Sequence, residues 1–135
     1  MQNIVVDAGP LIALFLRRDK HHARVKRFLA GSSARLMTTL PVVTEVCHFL
    51  NARGKFAFLT WVRRGGLAVE AVVAEDFEQI GAIIERYADR EIDFADASLI
   101  WLADRLNCTS VLTVDRTDFD VYRLSNGKGF EMVVQ

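Results

Sequence analysis

Several things are scarce in this 135-residue chain, and each scarcity narrows its class. There are only two cysteines, Cys47 and Cys108, at neither CxxC nor metal-ligand spacing. That argues against a disulfide framework or a zinc site and for free thiols in a reducing compartment, which makes the sequon-like Asn107-Cys108-Thr109 a coincidence. No apolar run is long enough for a membrane span. The first one, Ile4 to Phe15, is broken by Asp7, Gly9 and Pro10 and follows no basic segment. Neither a secretory leader nor an anchor is therefore expected, and the chain reads as cytoplasmic. No internal repeat, low-complexity tract or linker divides it. Proline is limited to Pro10 and Pro41, both placed where a helix would begin, a position that tolerates a missing N–H.

Net charge is missing as well, with 17 Lys and Arg against 17 Asp and Glu. The zero conceals an asymmetry: residues 1–64 hold 11 basic and 3 acidic side chains, residues 65–135 hold 6 and 14. A basic half suits a polyanion, leaving the acidic half free to hold metal, although an ordinary surface whose charges intermix on folding reads the same way. At this length one domain is expected, burying roughly two-thirds of its unfolded surface without a staple.

Periodicity and punctuation give the elements. Ile4-Val5-Val6 reads as a strand buried on both faces, with Asp7 at its carboxyl end and a helix from Leu11 to Leu16. Ala23, Val25, Phe28 and Leu29 predict a helix ending near Gly31, basic outside through Arg24, Lys26 and Arg27. Leu36 to Thr39 reads as a strand, and Thr38 or Thr39 caps a helix striped by Val42, Val46, Phe49 and Leu50. Lys55 to Arg64 carries Phe56, Phe58, Leu59, Trp61 and Val62, either core or a dimer or partner surface. Gly65-Gly66 marks a turn, Leu67 to Val73 a strand, and Glu75, Asp76 and Glu78 open a helix striped by Phe77, Ile80, Ile84, Tyr87 and Ala88. A further helix runs from Asp93 to near Leu106-Asn107, and Ser110 to Val114 is a strand that Asp115 terminates. A short helical piece over Phe119 to Leu124, a turn at Asn126 to Gly129 and a closing strand from Phe130 to Val134 complete the chain. Strands alternating with helices imply a parallel α/β sheet covered on both sides.

Four acids stand out against this frame. Asp7 and Asp115 end strands, Glu45 lies three residues from Val42 on an inward stripe, and Asp96 shares a helix face with Leu99, Ile100 and Ala103. Each has a plainer reading. Asp7 caps the next helix, and Asp93 with Asp96 makes a capping pair. If the strand ends share one sheet edge, however, all four carboxylates meet there. Their mutual repulsion and desolvation raise their pKa values and call for a cation. Oxygen ligands without His or Cys select a hard ion, Mg²⁺ or Mn²⁺, of the kind that stabilises phosphoryl displacement. The adjacent His21 and His22 cannot chelate one ion as an i, i+4 pair would.

Asp7-Ala8-Gly9-Pro10-Leu11, Glu45 on its helix, Asp96-Ala97 opening a helix that ends in Ala103, and Thr113-Val114-Asp115 together resemble the PIN-domain nucleases. The likeness is closest to the small prokaryotic members that include the VapC-type toxins. It implies a three-layer α/β/α fold with a central parallel sheet of about five strands, as a single domain over residues 1–135. In that family the positions matching Asp7, Glu45, Asp96 and Asp115 bind the divalent metal. Those matching Thr113 and Asp118 support the site, and Asp93 matches a less regular extra acid. The implied activity is endoribonuclease cleavage, with water attacking phosphorus to leave a 5′-phosphate and a 3′-hydroxyl. The implied partners are RNA, a second copy in a homodimer, and an antitoxin whose tail enters the acidic groove.

On that reading Asp7 and Asp96 bind metal directly, Glu45 completes the shell or orients water, and Asp115 binds directly or through water. Arg17, Arg18, Lys20, Arg24, Arg53 and Lys55 are the candidates for RNA-backbone contact. The rival readings are a PIN-like scaffold or binding module without catalysis, and an RNA-processing nuclease outside toxin–antitoxin pairs. A phosphatase DxDxT signature is absent, since Gly9 holds the second Asp position.

Overall fold

β1 (Asn3–Val6) is the middle of the sheet, and its composition explains why. Ile4, Val5 and Val6 are all buried, because a central parallel strand has helices over both faces and no side on which a polar residue reaches water. The computed structural model describes residues 2–133. β1 pairs on one side with β2 (Arg35–Thr39) and on the other with β4 (Ser110–Leu112), both parallel. β3 (Ala68–Glu70) and β5 (Glu131–Met132) add the outer strands in the order β3-β2-β1-β4-β5.

That order fixes where the site falls. The chain winds outward from β1 through β2 to β3, then crosses back to lay β4 on the other side of β1. The direction of winding therefore reverses between β1 and β4, and ligands of open α/β sheets bind in the crevice at the carboxyl ends of such a pair. Asp7 follows β1, and Thr113, Val114 and Asp115 follow β4.

The helices are α1 (Ala8–Phe15), α2 (His22–Ala30), α3 (Leu40–His48), α4 (Ala52–Trp61), α5 (Phe77–Arg86), α6 (Phe94–Leu106) and α7 (Arg116–Val121). α6 is the central one. Every residue from Ala97 to Ala103 is buried, as suits a helix packed on β1, β2, α3 and α5 together. Its small first turns let it approach closely, and buried Ser98 shares a 2.6 Å hydrogen bond with Thr39 at the end of β2.

Several boundaries differ from the sequence reading for identifiable reasons. α1 starts at Ala8 rather than Leu11, because Asp7 caps it and both Gly9 and Pro10 fit its first turn. A Cβ on Gly9 would lie 2.6 Å from Val114 Cγ2, so glycine is what lets α1 start against the strand-β4 exit. β4 stops at Leu112, since the Thr113 hydroxyl accepts the Asp115 N–H and turns the chain. The strand expected over Leu67 to Val73 keeps only Ala68–Glu70, α7 begins at Arg116 rather than Phe119, and Val134 of the expected closing strand lies outside the described residues. Phe49 is not in the core: α3 ends at His48, Phe49 leaves the helical period, and Val43 takes its place among the buried residues. Phe77 and Ala88 are likewise exposed, and the inward line of α5 is Ile80, Ile83 and Tyr87.

α4 answers both readings of its apolar content at once. Phe58 is fully buried and packs edge-on against Phe15 at 5.5 Å, with Trp61 beside them, whereas Phe56 is 75 % and Leu59 48 % exposed. Among the described residues no helix is long and apolar enough to cross a membrane. The two phenylalanines make a direct comparison. Phe58→Ala leaves a core cavity and should lower stability by about 3–5 kcal/mol, while Phe56→Ala should stay within about 0.5 kcal/mol. Equal losses in denaturant melts would show that α4 is not seated as described.

Candidate metal centre

Asp7 is both a helix cap and a member of an acidic cluster. Its Oδ1 accepts the Ala8 N–H at 2.8 Å and its Oδ2 accepts the Thr113 hydroxyl at 2.8 Å, with only 9 % of the residue exposed. Because β4 lies beside β1, Thr113 comes from 106 residues away to hold it. Burial pushes the Asp7 carboxyl up to about 6. The Thr113 and Ala8 hydrogen bonds oppose that rise, and the charges of Asp115 and Asp93 add to it.

Asp96 sits in the first turn of α6, and Tyr122 Oη donates to its Oδ2 at 3.0 Å. Burial is again the main cause of its rise, to about 8, and among charges Asp7 acts on it most strongly, then Asp93. The Tyr122 hydroxyl is driven well above its ordinary value by burial and by the nearby Asp96. Asp93 caps α6 by accepting the Asp96 N–H at 2.8 Å. Glu45 on α3 is half-buried and raised by burial first, then by Asp93 and Asp7. Asp7, Glu45, Asp93 and Asp96 thus share one electrostatic field.

Asp115 is more loosely attached. It caps α7, accepting the Asp118 N–H at 3.3 Å, and its carboxyl is raised by burial and by a hydrogen bond with the Asp118 side chain. Asp118 is held below the usual range by Arg90, whose Nη2 lies 2.9 Å from its Oδ1. Asp7 still feels the Asp115 charge, so the fifth acid flanks the cluster.

Two groups here were invisible in the sequence. Tyr122 lies in a segment with no periodicity, and Arg90 follows α5 in a short 3₁₀ turn, Ala88–Arg90. Only the fold brings either to an acid. The basic candidates spread out. Arg17, Arg18, Lys20 and Arg53 are exposed, Arg24 donates to His21 Nδ1 at 2.8 Å, and the Lys55 ammonium donates to the Leu50 carbonyl. Arg17 and Arg53 line one groove of about 770 Å³ together with Lys26, apart from the acids. His22 donates from Nδ1 to the Ala13 carbonyl when that nitrogen carries the proton.

The donor set suits a hard cation: every group is a carboxylate, and each of the two central ones is oriented by a hydroxyl that leaves lone pairs unused. Among the described residues no three Asp, Glu, His or Cys side chains are drawn in around one point as a finished cage. Mg²⁺ keeps several waters and binds through one or two carboxylates plus substrate phosphate, so the residues that would hold it here are Asp7 and Asp96.

The PIN domain family model matches residues 4–124. The chain is 28 % identical over 134 residues to Ribonuclease VapC26 of Mycobacterium tuberculosis, taking in 96 % of this chain and 99 % of that protein. Among solved structures it is similar to Mycobacterium tuberculosis VapC20, described as a Sarcin-Ricin loop cleaving toxin. The TM-score is 0.76 and the identity 27 %, over 84 % of this chain and 91 % of that one.

The raised acids fix a pH dependence. Both carboxyls titrate above their ordinary 3.8 in the folded chain, at about 6 and about 8, so the folded state binds more protons than the unfolded state between those limits. The stability they contribute is fully present below pH 4 and is lost as pH rises through 6 and then 8. In chelator, the melting temperature should fall across that window, and Asp96→Asn should flatten the upper part of the fall. A wild-type and Asp96→Asn pair with parallel profiles would contradict the assignment.

Proposed function

The chain belongs to the PIN domain family, and on that premise we propose that it is a divalent-cation-dependent endoribonuclease serving as the toxin of a toxin–antitoxin pair. The observation that carries the proposal is the pair Asp7 and Asp96: one buried and one half-buried carboxyl at the sheet's switch point, each raised, each oriented by a hydroxyl. The similarity to a ribonuclease over 96 % of this chain, and to a Sarcin-Ricin loop cleaving toxin over 84 % of it, supports RNA as the substrate.

Asp7, Asp96 and Glu45 would hold Mg²⁺ or Mn²⁺, with Asp115 reaching it directly or through water. When bound, such an ion supplies positive charge against the developing charge on phosphorus and lowers the pKa of the attacking water. The chain's own groups do the rest. Thr113 fixes one oxygen of Asp7 and Tyr122 one oxygen of Asp96, so both acids keep a single orientation as substrate arrives. Glu45, half-buried at the rim of the cluster, completes the shell of such an ion or orients the attacking water. Arg90 neutralises Asp118 and limits repulsion of the incoming phosphate on that side. Arg17, Arg18, Lys20 and Arg53 hold the RNA backbone through salt-sensitive contacts that read no sequence. An antitoxin and a second copy of the chain are the protein partners that go with this reading.

Asp7→Asn and Asp96→Asn should abolish Mn²⁺-dependent RNA cleavage while the far-ultraviolet circular dichroism stays unchanged. Tyr122→Phe and Thr113→Val should each cost about 10- to 100-fold in activity or metal affinity. A cleavage assay with Mn²⁺ titration calorimetry checks this. Undiminished cleavage by Asp96→Asn, or no Mn²⁺ binding by the wild type at neutral pH, would overturn the proposal.

A further inference from the structure

We propose that the groove between α3 and the first residues of α5 and α6 is a nucleobase subsite. In it an unpaired base carrying an amino group, next to the scissile phosphate, stacks against Phe77 and Phe94 and donates to the Asp93 carboxylate. The inference rests on the ribonuclease reading and deepens it.

The groove is open, about 730 Å³ in volume, and its walls include Leu40, Glu45, Phe77, Asp93 and Phe94. Phe77 and Phe94 are the first residues of their helices and meet as a corner, centroids 5.9 Å apart and planes at 88°. They remain 54 % and 40 % exposed. What sets these two rings apart from the more exposed Phe56 is that they meet edge to face in a groove lined by acids, and their position says what sits there. Phe94 directly follows Asp93 and precedes Asp96 by two residues, so whatever sits on these rings adjoins the acids that would handle the phosphate.

The lining chemistry then selects among occupants. No Lys or Arg stands among the described residues of the groove, whose polar side chains are Thr44, Glu45, His48 and Asp93, and the two carboxylates repel a phosphate. The uncharged part of a nucleotide is the part that fits. Flat rings stack on aromatic side chains, and a carboxylate accepts hydrogen bonds from base amino groups such as cytosine N4. A purely apolar partner would carry the same carboxylates out of water with nothing to donate to them, which is costly. Uracil, with no exocyclic amino group, should be the poorest occupant.

The test uses the full-length protein with Mn²⁺ and a single-stranded RNA that it cleaves, together with copies made abasic at one position at a time around the cut. In the wild type, one abasic position should lower kcat/KM by roughly 5- to 150-fold, the range that loss of one base–aromatic stack gives. Phe77→Ala and Phe94→Ala should lose a similar factor on intact RNA and show no further loss at that abasic position. Phe77→Tyr and Phe94→Tyr should retain activity, and uridine at that position, which keeps the stack and lacks the amino donor, should fall between the amino-bearing bases and the abasic site. Cleavage of intact RNA by both alanine variants at the wild-type rate would overturn the subsite, as would independent, multiplicative losses. Variants that turn monomeric and regain full activity at high concentration would overturn it in favour of a second copy on this face. If the wild type cleaves no RNA with Mn²⁺, the ribonuclease reading itself fails, and the subsite with it.

Discussion

The molecule is organised around the cost of keeping the Asp7 carboxyl buried and the half-buried Asp96 carboxyl within its field. Desolvation is the main cause that pushes the first to about 6 and the second to about 8, with the charges of Asp115 and Asp93 adding to the first and those of Asp7 and Asp93 to the second, so near neutral pH the pair does not carry two full negative charges without help. A folded chain gains nothing from such an arrangement by itself, since apolar residues of similar size would pack there without penalty. The arrangement makes sense when something positive enters. An all-oxygen donor set determines what kind of ion that is.

Everything near the pair serves to hold it in place. The reversal of winding between β1 and β4 brings Thr113 beside Asp7. Gly9 gives the start of α1 the clearance it needs beneath Val114. Ser98 and Thr39 pin the beginning of α6 to the end of β2, which fixes the backbone that carries Asp93 and Asp96. Tyr122 reaches in from the short segment after α7, itself seated by ring contacts with Phe119 and Tyr87 at 5.1 Å. Core packing and site geometry therefore use the same elements.

The sequence carried the parts of this that depend on local pattern. An apolar β-branched run with an acid at its end, as at Ile4 to Asp7, states both a buried strand and an acid at the ligand edge. The small residues around Asp96 state a close helix approach, and the alternation of elements states a parallel sheet. What depends on distant contacts could not be read. Periodicity put Phe49 and Phe77 inside, yet one lies past the end of α3 and the other at the start of α5, where the helical period no longer dictates burial. Tyr122 and Arg90 carry no local signal, because each reaches its acid only through the fold. Asp93 looked like a marginal extra acid and proves to act on Asp7, Glu45 and Asp96 alike.

The most direct test of the central claim is to count the protons released when Mn²⁺ binds, by titration calorimetry in buffers of different ionisation enthalpy. Asp96 is mostly protonated at pH 7 by its value of about 8, so the ion must displace that proton: the account predicts release of about one per ion at pH 7, falling toward zero above pH 9. Binding at pH 7 with no proton released, or release unchanged in Asp96→Asn, would contradict it.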